Sequence, residues 1–176
     1  LYLVLIIFSF LGPLLLATIM YKYSDVVPIA PPKSYGNLID PVITINAETD
    51  FDNILERKKW TLMYVYENET CDLLCEATLY VMQQVRESLG RERSRVSNVI
   101  VINNDFENEQ NEKIIKKYDK IRFIKVINKN FFKNLEKNHL YIIDPLGNIF
   151  IFYDKDFSAE GLKKDIKKIL KVSRIG

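Results

Sequence analysis

The chemistry that this chain can offer centres on a pair of cysteines. Cys71 and Cys75 are its only cysteines, and three residues separate them. Two thiols at this spacing can form a structural disulfide, act as a redox couple, bind a soft metal ion or be inert core residues. The polar neighbours Asn68, Glu69 and Asp72 argue against the inert alternative. A disulfide that closes so short a loop restrains little chain entropy, so the redox and metal-binding interpretations are favoured.

The two cysteines lie where a predicted strand passes into a predicted helix. Residues 60–66, WTLMYVY, form a continuous apolar run that is typical of a strand covered on both faces. Apolar residues then recur at helical spacing up to a stop at Gly90, namely Leu79, Met82, Val85 and Leu89. A helix N-terminus stabilises a thiolate, and residues four apart share one helix face. The sequence therefore predicts two sulfurs on the same side, accessible at one end of the sheet.

The remaining elements define the fold that would position this pair. Predicted strands cover residues 96–103, 140–144 and 149–153, and predicted helices cover residues 107–118, 130–135 and 158–173, with Ser158 as the N-cap of the last. The first two strands would be parallel, and the last two would form a hairpin around the turn at residues 145–148. This order predicts an α/β fold over residues 42–176, with a thioredoxin-like mixed sheet flanked by helices.

The N-terminal part of the chain differs from this domain. Residues 1–21 contain no charged side chain, and about 20 helical residues cross a hydrocarbon core of about 30 Å. We expect a transmembrane anchor here; a cleaved signal peptide is the alternative, but the residues around Ala17 make a poor cleavage site. Residues 22–41 hold four of the six prolines and are predicted to be an extended tether.

One histidine is available as a further metal ligand. His139, the only histidine of the chain, directly precedes the strand predicted at residues 140–144. In a thioredoxin-like sheet, the start of that strand lies close to the N-terminus of the first helix of the domain. We therefore expect His139 to face Cys71 and Cys75, which as thiolates are suitable ligands for Cu(I). Without the imidazole, a thiol–disulfide role becomes the better interpretation.

Charge gives no indication of a nucleic-acid partner. The formal net charge is +2, and lysines and arginines alternate with aspartates and glutamates along the chain. Nucleic-acid binding would require a concentrated basic face.

The combined pattern resembles the Sco/SenC family of membrane-tethered, thioredoxin-fold proteins, most closely a proteobacterial membrane-anchored branch. The resemblance rests on WTLMYV from Trp60, on the Cys71 and Cys75 pair and on LYIIDPLGN from Leu140, behind the apolar N-terminus. It covers most of residues 38–174. Asp72 departs from the family pattern, in which better-known members carry proline, and His139 lies closer to Tyr141 than the family histidine does.

The resemblance implies a role in assembling the copper centre of cytochrome c oxidase. Cys71, Cys75 and His139 would bind copper, or the two cysteines would reduce a disulfide in an oxidase subunit or another respiratory-chain protein before it receives copper, as a thiol–disulfide oxidoreductase does. The implied location is a bacterial inner membrane, with the domain facing the periplasm. The alternative from another class is a non-catalytic, membrane-tethered interaction domain whose cysteines form only a structural disulfide.

Overall fold

The structure is a computed structural model that describes residues 2–22, 34–45, 54–56, 58–102, 108–125 and 135–175. The chain divides into two compact units, residues 1–33 and 34–176. The first unit contains helix α1, Tyr2–Lys22, with Pro13 inside it. Among the described residues, no helix is both long enough and apolar enough to cross a membrane. The anchor expected at residues 1–21 therefore stays a prediction.

The second unit is built on a six-stranded mixed sheet. Its strands are β1 Asn37–Thr44, β2 Trp60–Tyr66, β3 Val96–Ile102, β4 Arg122–Lys125, β5 Leu140–Ile143 and β6 Asn148–Tyr153. They lie in the order β1-β6-β5-β2-β3-β4. The β2–β3 and β3–β4 pairs are parallel, and the other three pairs are antiparallel. The predicted mixed sheet, its parallel β2–β3 pair and its terminal hairpin are confirmed.

Helices cover one face of this sheet. They are α2 Leu73–Glu87, α3 Glu109–Lys117 and α4 Ala159–Val172, and a 3₁₀ helix, Gly90–Arg95, follows α2. Apolar side chains of all three α-helices pack on this face, among them Leu79 of α2, Ile114 of α3 and Ile166 of α4. Ser158 caps α4 as predicted, since its hydroxyl accepts a hydrogen bond from the Gly161 amide.

The two faces of the sheet carry separate apolar clusters because successive side chains of a strand point to opposite faces. The first cluster lies under the helices and includes Tyr64, Tyr66 and Leu140. The second cluster, on the other face, includes Val65 and Tyr141. These two clusters decide which site residues can meet.

The domain begins earlier in the chain than the sequence predicts. Residues 37–41, assigned to the tether, belong to β1, which pairs with β6 at the edge of the sheet. Proline is tolerated on an edge strand because its missing amide is not needed there, so Pro41 does not exclude a strand. The tether residues 23–33 and residues 130–134 of the helix predicted at residues 130–135 lie outside the described residues.

A buried carboxylate fixes the start of this domain. Asp165 of α4 is 3% exposed and accepts hydrogen bonds from the Tyr35 amide at 2.7 Å, the Gly36 amide at 3.0 Å and the Tyr153 hydroxyl at 2.7 Å. Gly36 has no room for a side chain, since a Cβ there would lie 2.5 Å from a methyl carbon of Ile151. The segment before β1 is therefore packed against α4 and β6.

Candidate redox site

The two cysteines form a disulfide at the junction between β2 and α2. Cys71 lies in the connecting loop and Cys75 in the first turn of α2, with their Cα atoms 5.3 Å apart. The predicted position at a strand-to-helix junction and the predicted proximity of the two sulfurs are confirmed. The predicted accessibility is wrong: Cys71 is 4% exposed and Cys75 is fully buried, both in the first apolar cluster.

Asp72 explains how a helix can begin between the two cysteines. It is the N-cap of α2, and its carboxylate accepts a hydrogen bond of 2.8 Å from the Cys75 amide. An N-cap carboxylate satisfies one of the amides that have no partner within the helix. It also places a negative charge beside the sulfurs, where a thiolate would form on reduction.

A buried tyrosine holds the loop that leads into the disulfide. Tyr66, the last residue of β2, is 1% exposed. Its hydroxyl donates a hydrogen bond of 2.7 Å to the Thr70 carbonyl and accepts one of 3.2 Å from the Asp72 amide. The ring of Tyr64 lies 5.7 Å from that of Tyr66, and burial raises the pKa of Tyr64 well above its usual range. Two buried phenol side chains therefore lie on the helix-covered face near the loop.

The N-terminus of α3 holds the same loop from a second side. Asn111 is fully buried; its side-chain oxygen accepts a 3.0 Å hydrogen bond from the Cys71 amide, and its side-chain nitrogen donates to the Glu69 carbonyl at 2.6 Å. Asn108, the N-cap of α3, also donates to the Glu69 carbonyl, at 3.0 Å. The loop around Cys71 is therefore held by contacts that do not involve sulfur.

Sequence reasoning missed Asn111 as a site residue. It lies in the polar stretch ENEQNEKIIKKY, which has the composition of a solvated helix face. Asn108 could have been identified as a cap, because asparagine is preferred at that position. Nothing local indicates that Asn111, three residues later, reaches a cysteine loop that lies far away in the chain.

The structure does not bring His139 together with the cysteines. The carbonyl of His139 accepts a hydrogen bond from the Val65 amide, and its ring lies 5.8 Å from the Phe152 ring and 6.5 Å from the Tyr141 ring. These neighbours belong to or pack against the second apolar cluster, whereas the disulfide belongs to the first. The expectation that His139 faces the two sulfurs is not met, because strand alternation directs its ring to the opposite face of the sheet.

The partners of His139 are oxygen atoms. Its Nε2 lies 3.0 Å from an Asp154 carboxylate oxygen and 3.5 Å from a Glu136 carboxylate oxygen, and its Nδ1 lies 2.8 Å from the Lys137 carbonyl. Within the described parts of the chain, no group of three histidine, cysteine, aspartate or glutamate side chains has a metal-binding arrangement. The ligand set expected for copper, Cys71, Cys75 and His139, does not fit this geometry, because the His139 ring packs on the opposite face of the sheet from the two sulfurs. Two thiolates alone are the ligand type that suits Cu(I).

Comparisons with known proteins agree with this fold. The family model described as "Transmembrane-like, thioredoxin-like, C-terminal domain" matches residues 60–173. No curated protein matches the chain.

Solved structures of Sco proteins share the fold. The copper-bound crystal structure of Arabidopsis thaliana ScoI is 15% identical with a TM-score of 0.53, covering 66% of this chain and 87% of that one. The solution structure of apo Sco1 from Thermus thermophilus is 10% identical with a TM-score of 0.55, covering 80% and 99%. Copper-bound yeast Sco1 is 14% identical with a TM-score of 0.52, covering 66% and 81%. The resemblance to Sco proteins is confirmed at the level of the fold, and the chain belongs to the family of transmembrane-like, thioredoxin-like C-terminal domains.

Proposed function

We propose that the chain is a thiol–disulfide oxidoreductase in which Cys71 and Cys75 cycle between disulfide and dithiol. The observation that carries this proposal is the pair itself, joined at the N-terminus of α2 in a loop held by Tyr66 and Asn111. Because these hydrogen bonds do not need the sulfur–sulfur bond, the loop can keep its shape when the bond is reduced. A helix N-terminus favours the thiolate that reduction produces.

The exposure of the two cysteine residues supports different roles for them. Cys71 keeps 4% exposure and Cys75 none, so Cys71 is the residue that meets a partner. Its thiolate attacks a disulfide sulfur of the partner, and the partner's other sulfur leaves as a thiolate. The Cys75 thiolate then attacks the Cys71 sulfur, which releases the second partner thiolate and re-forms the intramolecular disulfide. Two electrons pass to the partner, and an external dithiol reductant returns the pair to its reduced state.

The reduced pair is also proposed to hold Cu(I). Two thiolates are soft ligands that suit Cu(I). Cys71 and Cys75 are close enough to form a disulfide, so their reduced sulfurs can bind the same ion. The copper-bound Sco structures of Arabidopsis and yeast support this proposal through their shared fold. In this geometry His139 is not part of the copper site, so copper would be bound by sulfur only.

The resemblance to Sco/SenC proteins supports a proposal for the partner and the location. We propose a cytochrome c oxidase subunit, or another respiratory-chain protein, whose disulfide is reduced before it receives copper. The uncharged residues 1–21 support an anchor in a bacterial inner membrane, with the domain facing the periplasm.

A redox titration of the full chain tests the exchange activity. The protein is equilibrated with dithiothreitol buffers of increasing reducing strength, and its free thiols are alkylated and counted by mass spectrometry. A single two-electron transition, with far-ultraviolet circular dichroism unchanged across it, is expected. Cys75→Ser should accumulate a mixed disulfide with a disulfide substrate, whereas Cys71→Ser should not. If the disulfide is reduced only when the chain also unfolds, the result would instead support the alternative function, a non-catalytic interaction domain whose cysteines form a structural disulfide.

Copper binding needs its own measurement. Cu(I) is titrated anaerobically against a colorimetric chelator, with the reduced chain, the oxidised chain and the double Cys→Ser variant. Binding of one equivalent by the reduced chain alone is expected. Equal binding by all three samples would overturn the copper part of the proposal and leave the exchange activity to be judged by the redox titration.

A further inference from the structure

An apolar surface lies exposed on α2, the helix that carries Cys75. Leu73 is 88% exposed, Leu74 39% and Tyr80 56%, and Ala77 is also exposed. We call these four residues the α2 surface. Single exposed apolar residues are common on protein surfaces and need no explanation. A contiguous group of them, in contrast, often marks a site where another molecule binds.

Helix geometry makes this surface continuous. Leu73, Ala77 and Tyr80 are spaced by four and three residues, so their side chains follow one another along the same side of α2. The core-facing side of the helix carries Leu79 and Met82, both fully buried. The apolar residues of the α2 surface are therefore additional to those that the fold itself needs.

The position of the surface connects it with the redox chemistry. Leu73 and Leu74 lie between Cys71 and Cys75 in the chain and form the first turn of α2. Cys71 lies two residues before Leu73, so a polypeptide whose sulfur reaches Cys71 is held at the N-terminal end of α2. The α2 surface extends along the helix from this end.

The chain segment that carries the surface is acidic. From Trp60 to Val85 the chain contains four carboxylates, Glu67, Glu69, Asp72 and Glu76, and no lysine or arginine, although the whole chain has a formal charge of +2. Lys117 pairs with Glu76 and Lys137 with Glu67, whereas Glu69 and Asp72 are exposed acids of the cysteine loop. A partner that docks here is favoured if it carries basic residues beside apolar ones.

We infer that the α2 surface docks an extended polypeptide segment that carries a disulfide, with apolar residues next to its cysteines and arginine or lysine at its flanks. This inference rests on the proposed exchange activity and names the kind of segment that it acts on. Leu73 and Leu74 bind the residues beside the attacked cysteine, and Tyr80 binds residues further along. Glu69 and Asp72 select the basic flank.

The test compares a docking substrate with one too small to dock. The reduced full chain is mixed with neutral 2-hydroxyethyl disulfide, with a synthetic disulfide-bonded peptide bearing leucines and flanking arginines, or with the same peptide bearing glutamates. The rate constant of protein oxidation is measured for each. Leu73→Ser and Tyr80→Ser remove parts of the surface, and Leu146→Ser removes a leucine that is 66% exposed in the β5–β6 turn, as a matched control.

The expected result is a selective loss. Leu73→Ser and Tyr80→Ser should each slow the reaction with the arginine peptide by about tenfold, the effect of unburying a large apolar side chain. The reaction with 2-hydroxyethyl disulfide should stay unchanged, and Leu146→Ser should behave as the unmodified chain. The arginine peptide should react faster than the glutamate peptide.

Each contrary outcome has a distinct meaning. If the unmodified chain does not react with 2-hydroxyethyl disulfide, the proposed exchange activity is wrong. If it reacts but Leu73→Ser, Tyr80→Ser and Leu146→Ser leave the peptide rate equal, the docking surface is wrong while the activity stands. Tyr80 lies about one and a half helical turns beyond Cys75, so an effect of Tyr80→Ser on the peptide alone cannot arise from a reshaped cysteine loop.

Discussion

The backbone amide of Cys71 donates a 3.0 Å hydrogen bond to the side chain of Asn111, forty residues further along the chain. The same side chain donates a hydrogen bond to the Glu69 carbonyl. One buried amide group therefore connects Glu69 and Cys71, the two ends of the short segment that leads into the disulfide. This contact couples the start of α3 to the position of the cysteine that we propose as the nucleophile.

Asn111→Ala should loosen the cysteine loop. The substitution removes the hydrogen-bond acceptor of the Cys71 amide, which is buried. An unsatisfied buried amide lowers the free energy of unfolding by about 1–3 kcal/mol. Hydrogen exchange at the Cys71 amide should become faster, and the midpoint of urea unfolding should fall. Asn108→Ser is the matched control, because serine still caps α3, while the other Glu69 contact is removed and the bond to Cys71 is kept. Equal protection of the Cys71 amide in both variants would contradict the assigned role of Asn111.

Asp72→Asn should make the disulfide more oxidising. Asparagine caps a helix about as well as aspartate does, so α2 is preserved, but the negative charge beside the sulfurs is removed. Loss of that charge stabilises the thiolate of the reduced state, and an effect of about 0.5–1 kcal/mol raises the two-electron reduction potential by about 10–20 mV. Equilibration with a glutathione buffer measures the change, and a lower potential would refute the explanation.

His139→Gln should reduce stability without affecting the cysteine chemistry. His139 is 9% exposed and its ring lies 3.0 Å from Asp154, so loss of the ring should cost about 1–2 kcal/mol in thermal or urea unfolding. The Cu(I) affinity and the reduction potential should stay as in the unmodified chain, because the ring lies on the other face of the sheet. A clear loss of Cu(I) affinity in a folded variant would restore His139 as a ligand.

Asp165→Ala should detach the start of the domain. It removes the acceptor of three hydrogen bonds, those from the Tyr35 and Gly36 amides and the Tyr153 hydroxyl, at a cost of at least about 3 kcal/mol. Tyr153→Phe removes only one of the three and should cost about 1–2 kcal/mol. Urea unfolding of both variants measures their free energies of unfolding, and Asp165→Ala should lose more stability than Tyr153→Phe. Equal losses of stability would show that the hydrogen bonds to the Tyr35 and Gly36 amides contribute little.

Stability should fall at alkaline pH. Burial raises the pKa of Tyr141 to about 12, although its hydroxyl also bonds to the Glu136 backbone. In the unfolded chain a tyrosine ionises near pH 10. Between these values the unfolded state loses a proton that the folded state keeps, so this contribution to stability is complete below about pH 10 and is lost as the pH rises towards 12. Phenolate absorbance, followed against pH, should show delayed ionisation, and Tyr141→Phe should make the stability loss shallower.

Much of the fold could be predicted because its central strands have strong local signals. The run of residues 60–66 is buried along almost its whole length as β2, and the residues of β3 and β5 are all buried. The strand β1 was missed because it lies at the sheet edge. Most of its residues are exposed there, so its sequence lacks the regular alternation of apolar and polar residues that indicates a strand. Its Pro41 also favoured a tether over a strand.

The sequence by itself determined that two thiols lie at a strand-to-helix junction, since apolar runs and helical spacing are properties of neighbouring residues. Only the tertiary structure decided what surrounds them. Alternation along a strand places His139 and Leu140 on opposite faces, but the pairing of Leu140 with Tyr64 and the packing of α2 decide which of them faces the disulfide. The burial of the sulfurs and the contact of Asn111 with Cys71 likewise depend on segments far apart in the chain, whose contacts leave no local trace in the sequence.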